Sequence, residues 1–185
     1  MTPVRDLAQT AIATKLLAFT LAIMAMAISP VSSSAEQPGP MAITAEMSCG
    51  VCGMHPAKFV EWQTQIIFTD GEMIPFDGGK DMFKFIHNMA AYDATHSKDD
   101  IAAIWVREFA TGRWLDGRKA TYVVGSKVMG PMGLELIPFE DSESAEDFRK
   151  TNDGRIKHFP EISMADIKKL GMGGMKMKDK MPGKM

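Results

Sequence analysis

The sequence predicts an α+β fold in which two similar ββα-type modules pack together, preceded by an export signal and followed by a flexible Met-rich tail. Two observations carry this expectation. Runs of β-forming residues bounded by turn signals sit beside short amphipathic helical stretches. A strand-to-helix passage also occurs twice: Ile74-Pro75-Phe76-Asp77 leads to Asp81-Met82-Phe83, and Ile137-Pro138-Phe139-Glu140 leads to Glu146-Asp147-Phe148, at an offset of 63 residues that rises to 65 after a two-residue insertion. A ββα unit cannot bury its sheet face alone, so the two copies are expected to cover each other.

Along the chain, Arg5 and Lys15 precede an apolar run over 16–28, followed by Ser29-Pro30 and Ser33-Ser34-Ala35. That order predicts a secretory signal peptide, residues 1–35, cleaved before Glu36. The run falls short of the roughly 20 residues that cross a bilayer, so no stable membrane insertion is expected. No cysteine follows it to carry a lipid. Residues 36–47 read as a linker that opens with a Pro/Gly stretch. The folded domain is expected over 48–170, divided into pseudo-repeats at about 48–98 and 99–170. In the first, the β-rich run 65–69, the Asp70-Gly71 turn and the return strand 73–76 make a hairpin. Gly78-Gly79 close it, and Met82, Phe83, Phe85, Ile86, Met89 and Ala90 recur at helical spacing over 80–91, with Asp81 near the start. In the second, strands are predicted at 101–109, 119–125, 134–139 and 155–159, with Thr111-Gly112 turning toward Arg113-Trp114-Leu115. A short helix at 163–170 should end at Gly171. The tail, 171–185, holds Met172, Met175, Met177, Met181 and Met185 among Gly, Lys and Pro, with no other apolar residue to build a core. It is expected to be disordered, either as a collector of Cu(I) or as a solvated segment of no consequence.

Charge and sulfur narrow the chemistry. The 185 residues carry 21 Lys+Arg against 23 Asp+Glu. Removing the leader would leave 19 positive and 22 negative residues. No field of that sign draws in nucleic acid, so no nucleic-acid partner is expected. A hydrophobic fraction of 45% excludes a disordered chain. Methionine, at 17 residues, far outnumbers the 2 cysteines. Thioethers bind soft metals without losing a proton, although Met82, Met89, Met129 and Met164 read mostly as core filler.

Cys52-Gly53-Met54 is the sharpest local feature. In an extended backbone residues i and i+2 point to one side, which would place a thiolate and a thioether on one ion. That pair selects Cu(I) over Zn²⁺. So few ligands leave copper open to attack by a partner's sulfur or imidazole, as a carrier requires. His55 could add a nitrogen or stay a metal-free surface residue. Cys49 could be a second thiolate, or pair with Cys52 in a disulfide that blocks the metal in an oxidising compartment. Rival readings each lack a part. A zinc knuckle needs a second closely spaced ligand pair, whereas His55, His87, His96 and His158 are scattered. A thioredoxin-like C-x-x-C follows a buried strand, whereas the polar-to-neutral 37–48 precedes this one. Gly78-Gly79-Lys80 lacks the rest of a P-loop.

Several ordered blocks together resemble the NosL family: Cys52-Gly53-Met54, Ala57-Lys58-Phe59 with Trp62 and Gln65-Ile66, Phe76-Asp77-Gly78 with Lys80-Asp81-Met82-Phe83, Asp100-Ile101-Ala102-Ala103-Ile104, Arg118-Lys119-Ala120 before Tyr122-Val123, and Gly130-Pro131-Met132-Gly133 before Glu135-Leu136-Ile137-Pro138-Phe139. They span about 49–159. The resemblance implies a periplasmic copper-binding accessory protein, not an enzyme, that delivers Cu(I) for the copper centres of nitrous oxide reductase, with two similar ββα-type halves. It places copper ligands at Cys52 and Met54, and makes Met132 a plausible further thioether. Nitrous oxide reductase or its assembly transporter would be the partner. The chain departs from the family pattern in three ways: it lacks a lipid-attachment cysteine, it has a C-x-x-C in place of a single thiol, and it carries the Met-rich tail. The alternatives are a periplasmic thiol-disulfide oxidoreductase using Cys49 and Cys52, a general copper-handling protein without that client, and an interaction module with an inert disulfide.

Overall fold

The computed structural model describes residues 37–178, with side chains through Gly171. The expected signal peptide and the last part of the tail lie outside the described residues. Among those described, seven strands form two antiparallel sheets, and three α-helices lie against them.

The first sheet has the order β2-β1-β3-β4, with β1 at Thr64–Phe68, β2 at Met73–Phe76, β3 at Ile101–Arg107 and β4 at Trp114–Asp116. The β1–β2 hairpin turns at Asp70-Gly71, where Gly71 takes a left-handed φ of 89° and Asp70 Oδ1 accepts the Glu72 N–H at 2.9 Å. All of β1 is buried, because alternate residues face different covers. Ile66 and Phe68 enter the main core. On the opposite face, the Gln65 amide exchanges two hydrogen bonds with the Met41 backbone, at 2.8 and 3.0 Å, and Trp105 Nε1 donates to the Pro38 carbonyl. The segment expected to be a linker is therefore docked along the first sheet.

The second sheet has the order β6-β5-β7, with β5 at Thr121–Gly130, β6 at Gly133–Phe139 and β7 at Arg155–His158. Its alternation divides the interior. Tyr122, Val124, Leu134 and Leu136 join the main core, and Val123, Ile137 and Phe139 form a smaller cluster with Ala145, backed by Phe109 and Phe148. Helix α1, Gly79–His87, covers the first of these faces. It is buried along most of its length, with the Phe83 ring edge-on to Tyr122 at 5.2 Å and Phe85 at 5.3 Å from Phe76. Its start lies against β6: a Cβ on Gly79 would come within 2.9 Å of the Leu136 carbonyl oxygen. Helix α2, Ser142–Asn152, covers the other face and is capped by Asp141, whose Oδ1 accepts the Ser144 N–H at 2.7 Å.

Each sheet thus contains a hairpin followed by a helix, yet the chain passes from one sheet to the other between Asp116 and Thr121, later than the expected 98/99 boundary. The reason is that β1 needs a neighbour on both sides, and β3 supplies the second. Two helix ends also differ from expectation. Helix α1 stops at Asn88, whose backbone leaves helical geometry, and Met89–Ala91 continue as a separate 3₁₀ turn. Helix α3, Met164–Lys178, passes through Gly171 instead of ending there. Glycine disfavours a helix by only about 1 kcal/mol relative to alanine, and neighbouring Met and Lys favour it. The backbone of the tail's first part is consequently helical, against the expectation of disorder, and residues 179–185 lie outside the described residues.

Candidate metal centre

Residues 49–54 fold back on themselves. The Cys49 N–H donates to the Met54 carbonyl at 2.7 Å and the Gly53 N–H to the Cys49 carbonyl at 3.1 Å. Gly53 sits at φ 75°, a left-handed conformation open to glycine. The turn is fastened to β2 by the Gly50 N–H, which donates to the Pro75 carbonyl, and a Cβ on Gly50 would lie 2.5 Å from the Ile74 side chain. This tight approach buries Cys49 to 4% exposure and leaves Cys52 half-buried.

Two carboxylates meet the thiols there. Asp77 follows β2 directly and Asp81 lies in the first turn of α1, so the β2–α1 junction aims both at the Cys turn. Cys49 Sγ donates to Asp81 Oδ2 at 3.6 Å, and Cys52 Sγ to Asp77 Oδ1 at 3.4 Å. The four ligand atoms lie within 4.8 Å of one another. Asp77 is 1% exposed, and its Oδ2 has no hydrogen-bond partner. Burial is the main cause that pushes both thiols up from their ordinary value, and the neighbouring carboxylates add to it. Both cysteines are free thiols rather than a disulfide.

The structure brings Cys49 and Cys52 together with Asp77 and Asp81, and leaves His55 outside that cluster. Because Gly53 makes a turn, the extended geometry that would align Cys52 with Met54 is absent, and Met54 is half-buried beside the turn. His55 is exposed, with Nδ1 facing the Met47 carbonyl at 3.2 Å, and does not belong to the thiol–carboxylate cluster. Met132 is 43% exposed in the β5–β6 turn. It lines a cavity of about 400 Å³ together with Lys80, Asp81, Lys84, Met164 and Ile167. Asp81 therefore borders both the thiols and the Met132 cavity. Met164 lines a cavity wall as well as touching the core.

A buried pair holds this arrangement in place. Glu135 Oε2 accepts the Lys80 N–H at 2.9 Å, and Lys80 Nζ lies 3.7 Å from Glu135 Oε1 while donating to the Leu134 carbonyl at 3.0 Å. Burial pushes the Glu135 carboxyl up to about 7, with Lys80 pulling the other way. The start of α1 is thereby tied to the β5–β6 hairpin that carries Met132. Sequence reasoning missed Asp77, Glu135 and the site role of Asp81. The available signal was the spacing of Asp77 and Asp81, one helical turn apart directly after a strand.

The NosL family model matches residues 40–167. The chain belongs to the NosL family. The match takes in the Cys turn, both sheets and the start of α3. Among solved structures, the crystal structure of the copper chaperone NosL from Shewanella denitrificans is similar at 22% identity and a TM-score of 0.59, covering 69% of this chain and 97% of that one. The solution structure of the apo-NosL protein from Achromobacter cycloclastes aligns at 23% identity and a TM-score of 0.43, over 56% of this chain and 87% of that one. The first of these likenesses shows that the fold is NosL-like. No curated protein matches. Among the described residues no helix is long and apolar enough to cross a membrane.

Proposed function

We propose that this NosL-family protein is a periplasmic Cu(I) carrier, exported by its leader, that grips the ion through Cys52 and Met54 and passes it on for the copper centres of nitrous oxide reductase. One observation carries the reading: two free thiols, Cys49 and Cys52, gathered with two buried carboxylates from the β2–α1 junction in a single cluster. Thiolate and thioether are soft donors that favour Cu(I), and carboxylates are poor ligands for it. The sulfur atoms therefore hold the cargo and Asp77 and Asp81 surround it. Met54 lies next to the turn and Met132 across Asp81 from it, so either thioether completes the coordination after a local adjustment. His55 would contribute only by releasing Met47.

Loading requires each ligating thiol to lose its proton, which in the metal-free protein is donated to a carboxylate. Copper thus replaces two S–H···O hydrogen bonds and leaves sulfur anions facing carboxylates. The grip is weaker than that of an isolated dithiolate, which suits release to a partner by ligand exchange. The tail methionines would raise local copper supply, and the nitrous oxide reductase assembly transporter is the alternative recipient.

The oxidoreductase reading is disfavoured by the same site. A thioredoxin-like C-x-x-C follows a buried strand, whereas this Cys turn precedes β1. Competition of the purified protein against a Cu(I) chelator tests the proposal. Cys52→Ser should abolish tight binding, while Met172→Leu with its tail neighbours should lower capacity only. An unchanged Cys52→Ser titration removes the site assignment.

A further inference from the structure

A second set of ligating side chains lies at the far end of the same hairpin. Asp70, Glu72 and His96 each present a ligand atom within 4.8 Å of the others. The left-handed Gly71 turns the chain so that the carboxylates on either side of it converge. His96 is brought against them from the loop before β3, and its side chain is only 6% exposed. Its ring is fixed in two ways: it stacks on Phe68 at 3.9 Å with an 8° interplanar angle, and Nδ1 pairs with Asp93 Oδ2 at 2.6 Å. Asp93 is itself held, accepting the Thr95 N–H at 2.7 Å. An imidazole oriented through one nitrogen by a carboxylate presents the other nitrogen as a ligand, the arrangement that metal-binding histidines commonly use. In the metal-free protein Nε2 faces Asp70 Oδ2 at 3.1 Å and donates to it, and a metal ion would take its place there with release of that proton to solvent. Among the described residues no hydrogen bond or ion pair engages the Glu72 carboxylate.

From this geometry we infer that Asp70, Glu72 and His96 form a second metal site, for a borderline divalent cation such as Zn²⁺ or Cu²⁺. One nitrogen and two carboxylate oxygens match that class, and the absence of sulfur from the set makes it a poor host for Cu(I). Tetrahedral ligands on zinc stand about 3.3 Å apart, so closing the set needs only small side-chain movements on an exposed turn. The surrounding charge also fits. Asp70, Glu72, Asp93 and Asp100 gather around a single imidazole, and a dication offsets an excess that one histidine cannot. The four-residue strand β2 separates this site from Asp77, so the two sites stand roughly 15 Å apart. The inference does not depend on the Cu(I) reading.

The full chain and its Cys49→Ser/Cys52→Ser variant, which has no thiol left to compete for zinc, are titrated with ZnCl₂ while the histidine ring resonances are followed by ¹H–¹⁵N NMR. One equivalent should move the His96 Nε2 resonance and leave those of His55, His87 and His158 in place. His96→Gln should weaken Zn²⁺ binding at least about tenfold. Because His96 packs on Phe68, the surface variants Asp70→Asn and Glu72→Gln provide the same test without disturbing that stack. Each should weaken Zn²⁺ with an unchanged Cu(I) titration, and Glu72→Gln, whose carboxylate has no partner among the described residues, at an unchanged Tm. A His96 resonance that stays put, or Zn²⁺ affinity that all three variants retain, overturns the inference.

Discussion

Replacing Asp77 by asparagine separates a ligand from a neighbour. Asp77 Oδ1 lies 3.4 Å from Cys52 Sγ, and its other oxygen is buried without a partner. In the metal-free protein the carboxylate accepts a hydrogen bond from the thiol; once copper is bound, thiolate and carboxylate face each other and the ion's own positive charge offsets part of their repulsion. At 3.4 Å and an effective dielectric constant of 20, Coulomb's law gives roughly 5 kcal/mol for that repulsion as an upper bound. Cys52 is only half-buried, so water and the bound cuprous ion together screen much of it and leave about 1–3 kcal/mol. Asp77→Asn removes the charge at constant shape. It should therefore tighten Cu(I) about 10- to 100-fold in competition with a chelator, at unchanged or raised stability. Asp81→Asn, acting on the more deeply buried Cys49, should move affinity in the same direction. If Asp77→Asn weakens Cu(I) instead, the carboxylate is itself a ligand and the assignment of sulfur donors with carboxylate surroundings is wrong.

Two further outcomes test the frame around the site. A Cβ at Gly53 would meet nothing within 4 Å, so Gly53→Ala costs only its left-handed backbone, about 1 kcal/mol, and should lower Tm by about 3–5 °C by calorimetry; an unchanged Tm would mean that the turn is not held as described. Asp166 lies at the start of α3; burial alone would raise its carboxyl, but hydrogen bonds from Lys157 and Ser163 hold it well below the usual range. A depressed folded pKa stabilises the fold above the unfolded value near about 3.9 and loses that contribution as pH falls toward the folded one. The stability gap between wild type and Asp166→Asn in urea titrations should thus be constant at neutral pH and shrink below about pH 4. A gap that does not change with pH contradicts this.

The parts of the fold that were legible are those fixed by local chemistry. Asp70-Gly71 names its own turn, because only glycine readily takes the φ of 89° found there. The alternation in β5 and β6 announces two covered faces. What was not legible depends on distant partners. Nothing local marks β3 as the second neighbour of β1, or fastens Met41 to Gln65 across 24 residues. Asn88 ends α1 although the apolar spacing continues to Met89 and Ala90, because the periodicity of a 3₁₀ turn mimics that of a helix over so short a stretch. The site divides in the same way. The C-x-x-C is visible in any reading, but its carboxylates arrive from 25 and 32 residues downstream, through the packing of α1. The expectation that Cys52 and Met54 share one side of an extended strand failed at Gly53, since glycine permits the turn that breaks the alternation.

X-ray absorption at the copper edge of the Cu(I)-loaded protein tests the account most directly. Sulfur neighbours around the metal, reduced in number in Cys52→Ser, are the expected result. A spectrum that is fitted by nitrogen and oxygen alone contradicts it.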